Sequence, residues 1–161
     1  MFSRKEVGTA KENLPLSADR AVSAKLLSSC GSAGEGRRLT VHEIDNVVAN
    51  VKTKKINLIS IFGRARQGKS FLMNCLSGEK ELFTVSNKKD SCTQGIDISS
   101  KWLTLSDFSK LDNDSVIKTS SESECFVGFV DAEGQGDRDV TYDSELVCPI
   151  LLLSKVVIFI W

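Results

Sequence analysis

The apolar run "KINLISIF" leads straight into a glycine-rich loop, and this junction constrains the fold more than any other part of the sequence. An apolar residue at nearly every position is typical of a strand in a parallel sheet that helices cover on both faces. The segment after the loop, "KSFLMNCLSG", predicts a helix that ends at Gly78. We expect four side chains of this helix to face the core: Phe71, Leu72, Cys75 and Leu76. The order strand, glycine loop, helix predicts an α/β domain.

The loop "GRARQGKS" has the spacing of a phosphate-binding loop, with Lys69 and Ser70 after its second glycine. The glycines allow successive backbone N–H groups to face an anion at the start of a helix. Lys69 would bring a cation to the β- and γ-phosphates, and Ser70 would offer a hydroxyl to the Mg²⁺ that bridges them. The alternative is a glycine turn that binds no ligand. We expect these residues to contact a nucleotide: Gly63, Arg64, Ala65, Arg66, Gln67, Gly68, Lys69, Ser70 and Phe71.

Two further segments carry residues suited to the same site. The apolar run "CFVGFV" is followed by Asp131 and Gly134, a D-x-x-G arrangement in which the Asp meets Mg²⁺ through water and the Gly amide senses the γ-phosphate. Thr93, in "SCTQGID", is suited to complete the Mg²⁺ shell. Taken alone, an Asp at a strand end is more often a turn former, and a loop threonine is more often solvated. Both assignments therefore depend on the phosphate loop.

The remaining segments indicate a flexible N-terminal extension over residues 1–38 and a folded domain over residues 39–161. Within the extension, "SADRAVSAKLLSS" hints at a short helix, and the Gly- and Ser-rich stretch after it is typical of a linker. In the domain, the apolar spacing of "TVHEIDNVVANVK" and the composition of "SELVCPILLLSK" predict helices. "IDISSKWLTL" and "VVIFIW" predict strands, the second of them buried. The polar insert "SKLDNDSVIKTSSESE" predicts a mobile loop.

Composition excludes several classes of function. The 21 basic residues balance the 21 acidic ones, so no overall field favours nucleic acid or an anionic membrane surface. The longest apolar stretch, "CPILLLSKVVIFIW", is interrupted and too short to span a bilayer, so no direct membrane segment is expected. The N-terminus lacks the apolar run of a signal peptide, and the five cysteines form no CxxC pair. These features predict a cytoplasmic protein with reduced thiols.

Three stretches in order, "GRARQGKSFLMNCLSG", "CTQGIDI" and "VDAEGQGD", resemble the guanylate-binding protein and atlastin group of large GTPases within the dynamin superfamily. The resemblance covers about residues 39–161. It implies a P-loop NTPase three-layer sandwich with a mostly parallel sheet, of which this chain is a partial GTPase domain. It also implies hydrolysis of GTP to GDP and phosphate with Mg²⁺ as cofactor, and a nucleotide-dependent homodimer through the G domain.

The resemblance also assigns roles to individual residues. Arg66 matches an arginine that neutralises charge on the transferred phosphoryl group, a role that in other GTPases an activating protein can supply. The implied catalytic residues are Arg66, Lys69 and Thr93. The implied Mg²⁺ ligands are Ser70 and Thr93, with Asp131 supporting the ion through water. Gly134 belongs with Asp131 to the second nucleotide-sensing segment.

The sequence departs from the family pattern at several points. Arg64 stands where the family usually has an apolar residue, and Ala65 where it often has a larger one. Gln135 replaces an apolar residue and is not assigned a catalytic role. The acidic residue that reads guanine follows a later strand, so we expect a sheet truncated after its fourth core strand, with "VVIFIW" as an exposed apolar edge. An ATPase or P-loop kinase, and an inactive module that binds partner G domains, are the alternatives.

Overall fold

The computed structural model describes residues 22–30, 38–85, 93–110, 125–134 and 140–161. Within these ranges the chain forms seven strands and four helices. In chain order they are β1 (Ser23–Cys30), β2 (Arg38–Val41), α1 (Asp45–Val48), β3 (Lys55–Gly63), α2 (Lys69–Ser77), β4 (Ile96–Ser99), β5 (Leu103–Thr104), α3 (Leu105–Lys110), β6 (Cys125–Ala132), α4 (Val140–Leu153) and β7 (Val156–Ile160).

The strands form one mixed sheet in the order β2-β1-β4-β6-β3-β7. Its core is parallel, because β3 pairs in parallel with both β6 and β7. The other half is antiparallel, with β4 joined to β6 and β1, and β1 joined to β2. The short β5 also pairs with β6 in the antiparallel sense. The predicted α/β class is therefore confirmed, while parallel pairing is confined to the core strands.

Hydrophobic cores lie on both faces of this sheet. Leu58 of β3 belongs to one buried cluster with Leu146 and Ile150 of α4. Its neighbour Ile59 belongs to the other cluster, with Met73 of α2. Because successive strand residues point to opposite faces, α4 and α2 lie on opposite sides of the sheet. This is the layer order that the three-layer prediction requires.

The strands that lead into the predicted site agree with the sequence. Four consecutive residues of β3, from Leu58 to Ile61, are buried, as expected of a strand covered on both faces. The second predicted strand is β6, whose last six residues are buried. Both strands run in parallel and end at the same edge of the sheet. Residues that follow them are therefore brought together there.

Helix α2 is confirmed, and its predicted inward face is right for Leu72 and Leu76, which pack against the core, but wrong for Phe71 and Cys75. Phe71 is 61% exposed and Cys75 is also exposed. The buried side chains are Lys69, Met73, Asn74 and Ser77. Counting apolar positions missed this stripe because three of its four members are polar. The helix ends as predicted, with Gly78 in the left-handed conformation and its N–H bonded to two carbonyls of the last turn.

Asn74 explains how a polar side chain is tolerated inside this stripe. Its Nδ2 donates to the carbonyl oxygens of Phe83 (2.9 Å) and Lys80 (3.2 Å). Its Oδ1 accepts from the Phe83 amide (2.7 Å). All these bonds hold the segment after α2 against the helix. A buried amide with its donors and acceptor paired stabilises the fold rather than costing desolvation energy.

The N-terminal predictions need correction. The short helix hinted at in "SADRAVSAKLLSS" is wrong for its described part, because Ser23–Cys30 is a strand that pairs with neighbours on both sides. Pairing within the sheet, with Leu27 buried in the core, overrides the local helical pattern. The helix predicted in "TVHEIDNVVANVK" is reduced to Asp45–Val48, since Thr40 and Val41 belong to β2. The domain division at residues 38 and 39 stays a prediction.

The later segments agree in part. The helix predicted in "SELVCPILLLSK" is confirmed as α4, which starts earlier, at Val140, and contains Pro149. "IDISSKWLTL" forms two short strands, β4 and β5, rather than one. The strand "VVIFIW" is confirmed as β7, but its full burial is wrong, because Val156 is 49% and Phe159 42% exposed. The predicted mobile loop "SKLDNDSVIKTSSESE" is wrong for Ser109 and Lys110, which belong to α3, and its other residues lie outside the described ones.

No helix in the described part of the chain has the length and apolarity needed to cross a membrane.

Candidate nucleotide site

The predicted phosphate loop connects the end of β3 to the start of α2. Its backbone turns through three residues with positive φ, which are Gly63 (138°), Arg66 (64°) and Gly68 (74°). Gly68 directly precedes the first helical residue, so the loop closes on a helix N-terminus. The backbone N–H groups there have no partner within the helix and form a site that suits an anion.

Lys69 curls back over this loop. Its side chain is buried, with 7% exposure, and its Nζ donates to the Arg64 carbonyl oxygen at 2.8 Å. The ammonium group therefore lies within the turn of the loop rather than in solvent. A buried cation beside the N-terminus of α2 gives this part of the loop a positive charge that suits an anion.

Ser70, Thr93 and Asp131 meet next to the loop, and we call them the Ser70–Thr93–Asp131 cluster. Ser70 Oγ donates to Oδ2 of Asp131 at 2.6 Å, and Thr93 Oγ1 donates to the same oxygen at 2.9 Å. The two hydroxyl oxygens are 3.5 Å apart. Ser70 lies at the start of α2, Thr93 lies in the segment before β4, and Asp131 is the second-last residue of β6. The structure thus brings together the three side chains that the sequence associates with Mg²⁺.

Asp131 is the buried acid of the cluster, with no exposed surface. Burial raises its pKa to about 6, although the hydrogen bonds from Ser70 and Thr93 and the charge of Lys69 oppose this shift. Its other oxygen, Oδ1, is buried without a hydrogen-bond partner among the described residues. A buried carboxylate oxygen left unpaired is unusual, and beside two hydroxyl groups it fits a hard cation such as Mg²⁺.

Gly134 fixes the end of β6 against the phosphate loop. It is buried, and a Cβ at this position would lie 2.3 Å from Cα of Ala65. Only a residue without a side chain allows this approach. The structure therefore places the predicted D-x-x-G glycine directly beside the loop, as a γ-phosphate sensor would require.

Glu133 is a site residue that the sequence reasoning missed. Its side chain is buried, with 3% exposure, and its Oε2 accepts from the Gly95 amide at 2.9 Å. Its own amide donates to the Gly95 carbonyl oxygen at 2.8 Å. These bonds connect the end of β6 to the loop that carries Thr93. Only its place inside "VDAEGQGD" could have drawn attention to it.

The outer part of the loop is exposed. Four of its residues are exposed to solvent: Arg64, Arg66, Gln67 and Gly68. Arg66 therefore sits at the rim of the loop, in a left-handed conformation that is uncommon for a residue with a side chain. Its contact with a nucleotide, like that of Phe71, stays a prediction. Gln135 lies outside the described residues.

Residues 37–160 of the chain match a family model described as guanylate-binding protein, N-terminal domain. A comparison with curated proteins gave no significant match. The matched range contains the phosphate loop, the Ser70–Thr93–Asp131 cluster, Glu133 and Gly134. Strand β1 lies before it.

Proposed function

Because this chain belongs to the guanylate-binding protein family, we propose that it binds GTP and, with Mg²⁺, hydrolyses it to GDP and phosphate. One observation carries this proposal. Ser70 and Thr93, from separate parts of the chain, donate to the same buried oxygen of Asp131 at the mouth of the phosphate loop. A turn that bound no ligand would not need to gather two hydroxyls around a desolvated carboxylate.

The triphosphate would bind along the loop. The N–H groups at the start of α2 face its β-phosphate, and Lys69 exchanges its bond to the Arg64 carbonyl for phosphate oxygens. This exchange is favourable because an ammonium group binds a charged phosphate oxygen more strongly than a neutral carbonyl. Gly134 lies beside Ala65 and offers its amide to the γ-phosphate.

The Ser70–Thr93–Asp131 cluster would hold Mg²⁺. The two hydroxyl oxygens would be its direct ligands, and Asp131 Oδ1, which is buried without a partner among the described residues, would accept a hydrogen bond from water bound to the ion. When bound, Mg²⁺ neutralises negative charge on the β- and γ-phosphate oxygens. The protein contributes the fixed separation of the hydroxyls and the burial that excludes competing solvent.

Arg66 is the residue proposed to stabilise the transition state. Water attacks the γ-phosphorus, the bond to the β–γ bridging oxygen breaks, and GDP leaves. A guanidinium group from the rim of the loop would neutralise charge that develops on the transferred phosphoryl group. Catalysis then consists of positioning and electrostatic stabilisation.

We further propose that the protein acts in the cytoplasm and pairs with a second G domain when nucleotide is bound.

Phosphate release from GTP tests this function. Wild-type protein should release phosphate with Mg²⁺ and not with a chelator, and ATP should be a poorer substrate. Asp131→Asn, which keeps the side-chain volume, should lose most of the activity. GTP binding without phosphate release would instead support a nucleotide-dependent interaction module. Equal release from ATP and GTP would contradict guanine specificity.

A further inference from the structure

The loop that carries Thr93 rests on β1. Lys25 Nζ of this strand donates to the Gln94 carbonyl oxygen at 2.7 Å. The next residue, Gly95, has φ +82°, and a Cβ there would lie 2.1 Å from the Leu27 carbonyl oxygen. Loop and strand are therefore in direct backbone contact. Together with the bonds between Gly95 and the end of β6, this contact holds the loop from both sides.

Lys25 also completes a row of charges across three strands. In the pairing register Lys25 lies opposite Asp97 of β4, and Asp97 lies opposite Asp131 of β6. Lys25 Nζ is 2.5 Å from Oδ1 of Asp97, and the two side chains are only 33% and 18% exposed. Carboxylates that face each other across strands repel. The cation at the end of the row offsets this repulsion beside the buried cluster.

We propose that Lys25 is a positioning residue for GTP hydrolysis, which keeps Thr93 beside Asp131 by joining Asp97 to the Gln94 carbonyl. The inference rests on the proposed function, since a positioned Thr93 matters only if the cluster serves the nucleotide. Lys25 itself does not belong to the Ser70–Thr93–Asp131 cluster. Strand β1 lies outside residues 37–160, the range that the family model matches. The role is therefore assigned from the contacts of this chain.

Substitution of Lys25 by Met tests the role in catalysis. Lys25→Met keeps the length of the side chain but removes its charge and its donor, while Lys25→Arg keeps both. The matched control is Lys52→Met, which breaks a 3.1 Å ion pair with Asp45 whose side chains are 66% and 79% exposed. We expect Lys25→Met to lower kcat for GTP by about tenfold to a hundredfold, because a small displacement of a positioned group is costly. GDP affinity should change less than about twofold, Lys25→Arg should restore most of kcat, and the control should behave as wild type.

Hydrogen exchange provides a second readout that does not require turnover. In nucleotide-free protein the Gly95 amide should exchange about tenfold faster in Lys25→Met than in wild type or Lys52→Met, since loosening the loop exposes its bond to Glu133. Should Lys25→Met be too unstable to purify, Lys25→Gln, which removes the charge but keeps a shorter donor, tests the ion pair with Asp97 in the same way. Unchanged kcat and exchange, or equal losses of kcat and GDP affinity, would overturn the inference. If wild-type protein hydrolyses no GTP, the proposed function fails, and the exchange rates alone decide whether Lys25 holds the loop.

Discussion

At the scale of single residues, Asp131 couples function to stability. Its pKa in the folded, nucleotide-free protein is raised by burial from 3.8 to about 6. The folded state therefore holds this proton more tightly than the unfolded state. As a result, the free energy of unfolding falls as the pH rises from 3.8 to about 6. Above about pH 6 the ionised, buried carboxylate destabilises the folded state, and a bound cation would relieve this destabilisation.

Asp131→Asn should stabilise the nucleotide-free protein while it loses most of the Mg²⁺-dependent activity. We expect its free energy of unfolding at about pH 7.5 to exceed that of wild type by roughly 1–3 kcal/mol, and the difference to shrink at about pH 4.5. Urea denaturation at both pH values measures this. An Asn variant that is less stable than wild type at the higher pH would contradict the assigned burial cost.

Arg66 should act on the transition state rather than on binding. Arg66→Ala is expected to lower kcat for GTP on the order of a thousandfold with little change in nucleotide affinity. Because Arg66 has φ 64°, the wild-type residue already carries the backbone cost of a left-handed conformation, and alanine keeps it. Arg66→Asn favours that conformation and also removes the guanidinium, so it shows whether backbone preference contributes to the effect. Equal losses of kcat in both variants would assign the effect to the guanidinium; a loss in Ala alone, or an equal loss of affinity, would refute it.

The sequence predicted the polar members of the site better than it predicted their surroundings. Lys69, Ser70 and Asp131 were identifiable because a phosphate loop and a D-x-x-G motif require those residue types at fixed spacing. Glu133 and Asn74 were missed, because their roles arise from bonds to segments that are distant along the chain or outside any motif. A buried polar residue is indistinguishable from an exposed one until its partners are known.

At the scale of elements, the contact between the end of β6 and the phosphate loop should control nucleotide affinity. Gly134→Ala would push a methyl group into Ala65, whereas Gly128→Ala would push one into the ring of Trp102. Both variants should lower the melting temperature. Only Gly134→Ala should also weaken GTP binding, by about tenfold or more, because it displaces the loop. Calorimetry and equilibrium binding on the same preparations test this, and equal affinities in the two variants would contradict it.

Among the elements, β3, α2 and β6 were predictable because each shows a strong pattern next to a motif. Strand β1 was not, since the apolar residues of "SAKLLSSC" do not alternate regularly and its strand character comes from pairing with β2 and β4. The burial of β7 was overestimated for a related reason. Apolar composition indicates a strand, but only the strand order shows that β7 lies at the end of the described sheet.

At the scale of the whole molecule, the end of α4 and strand β7 carry an exposed apolar surface. We call it the α4–β7 surface, and its residues are Leu151 (56% exposed), Leu152 (84%), Leu153 (56%), Val156 (49%), Phe159 (42%) and Trp161 (84%). Apolar patches of this kind, next to a strand edge, favour association. The 161-residue chain should therefore self-associate at micromolar concentrations.

Sedimentation velocity at several concentrations measures this association. Leu152→Glu should shift the distribution towards monomer, because it places a charge on the most exposed leucine of the surface. Val85→Glu, which changes a half-exposed apolar residue elsewhere, is the matched control. A wild-type chain that sediments as a monomer at every concentration and unfolds sharply, independently of concentration, would contradict the prediction.

The proposed function requires that the loop before α2 bind guanine nucleotide through Lys69. Equilibrium binding of fluorescent GTP and ATP analogues in the presence of Mg²⁺ tests it most directly, with Lys69→Ala as the blank and circular dichroism to confirm that the variant is folded. We expect GTP to bind more tightly than ATP and Lys69→Ala to remove the binding. No binding, or equal binding of both nucleotides that persists in folded Lys69→Ala, would contradict it.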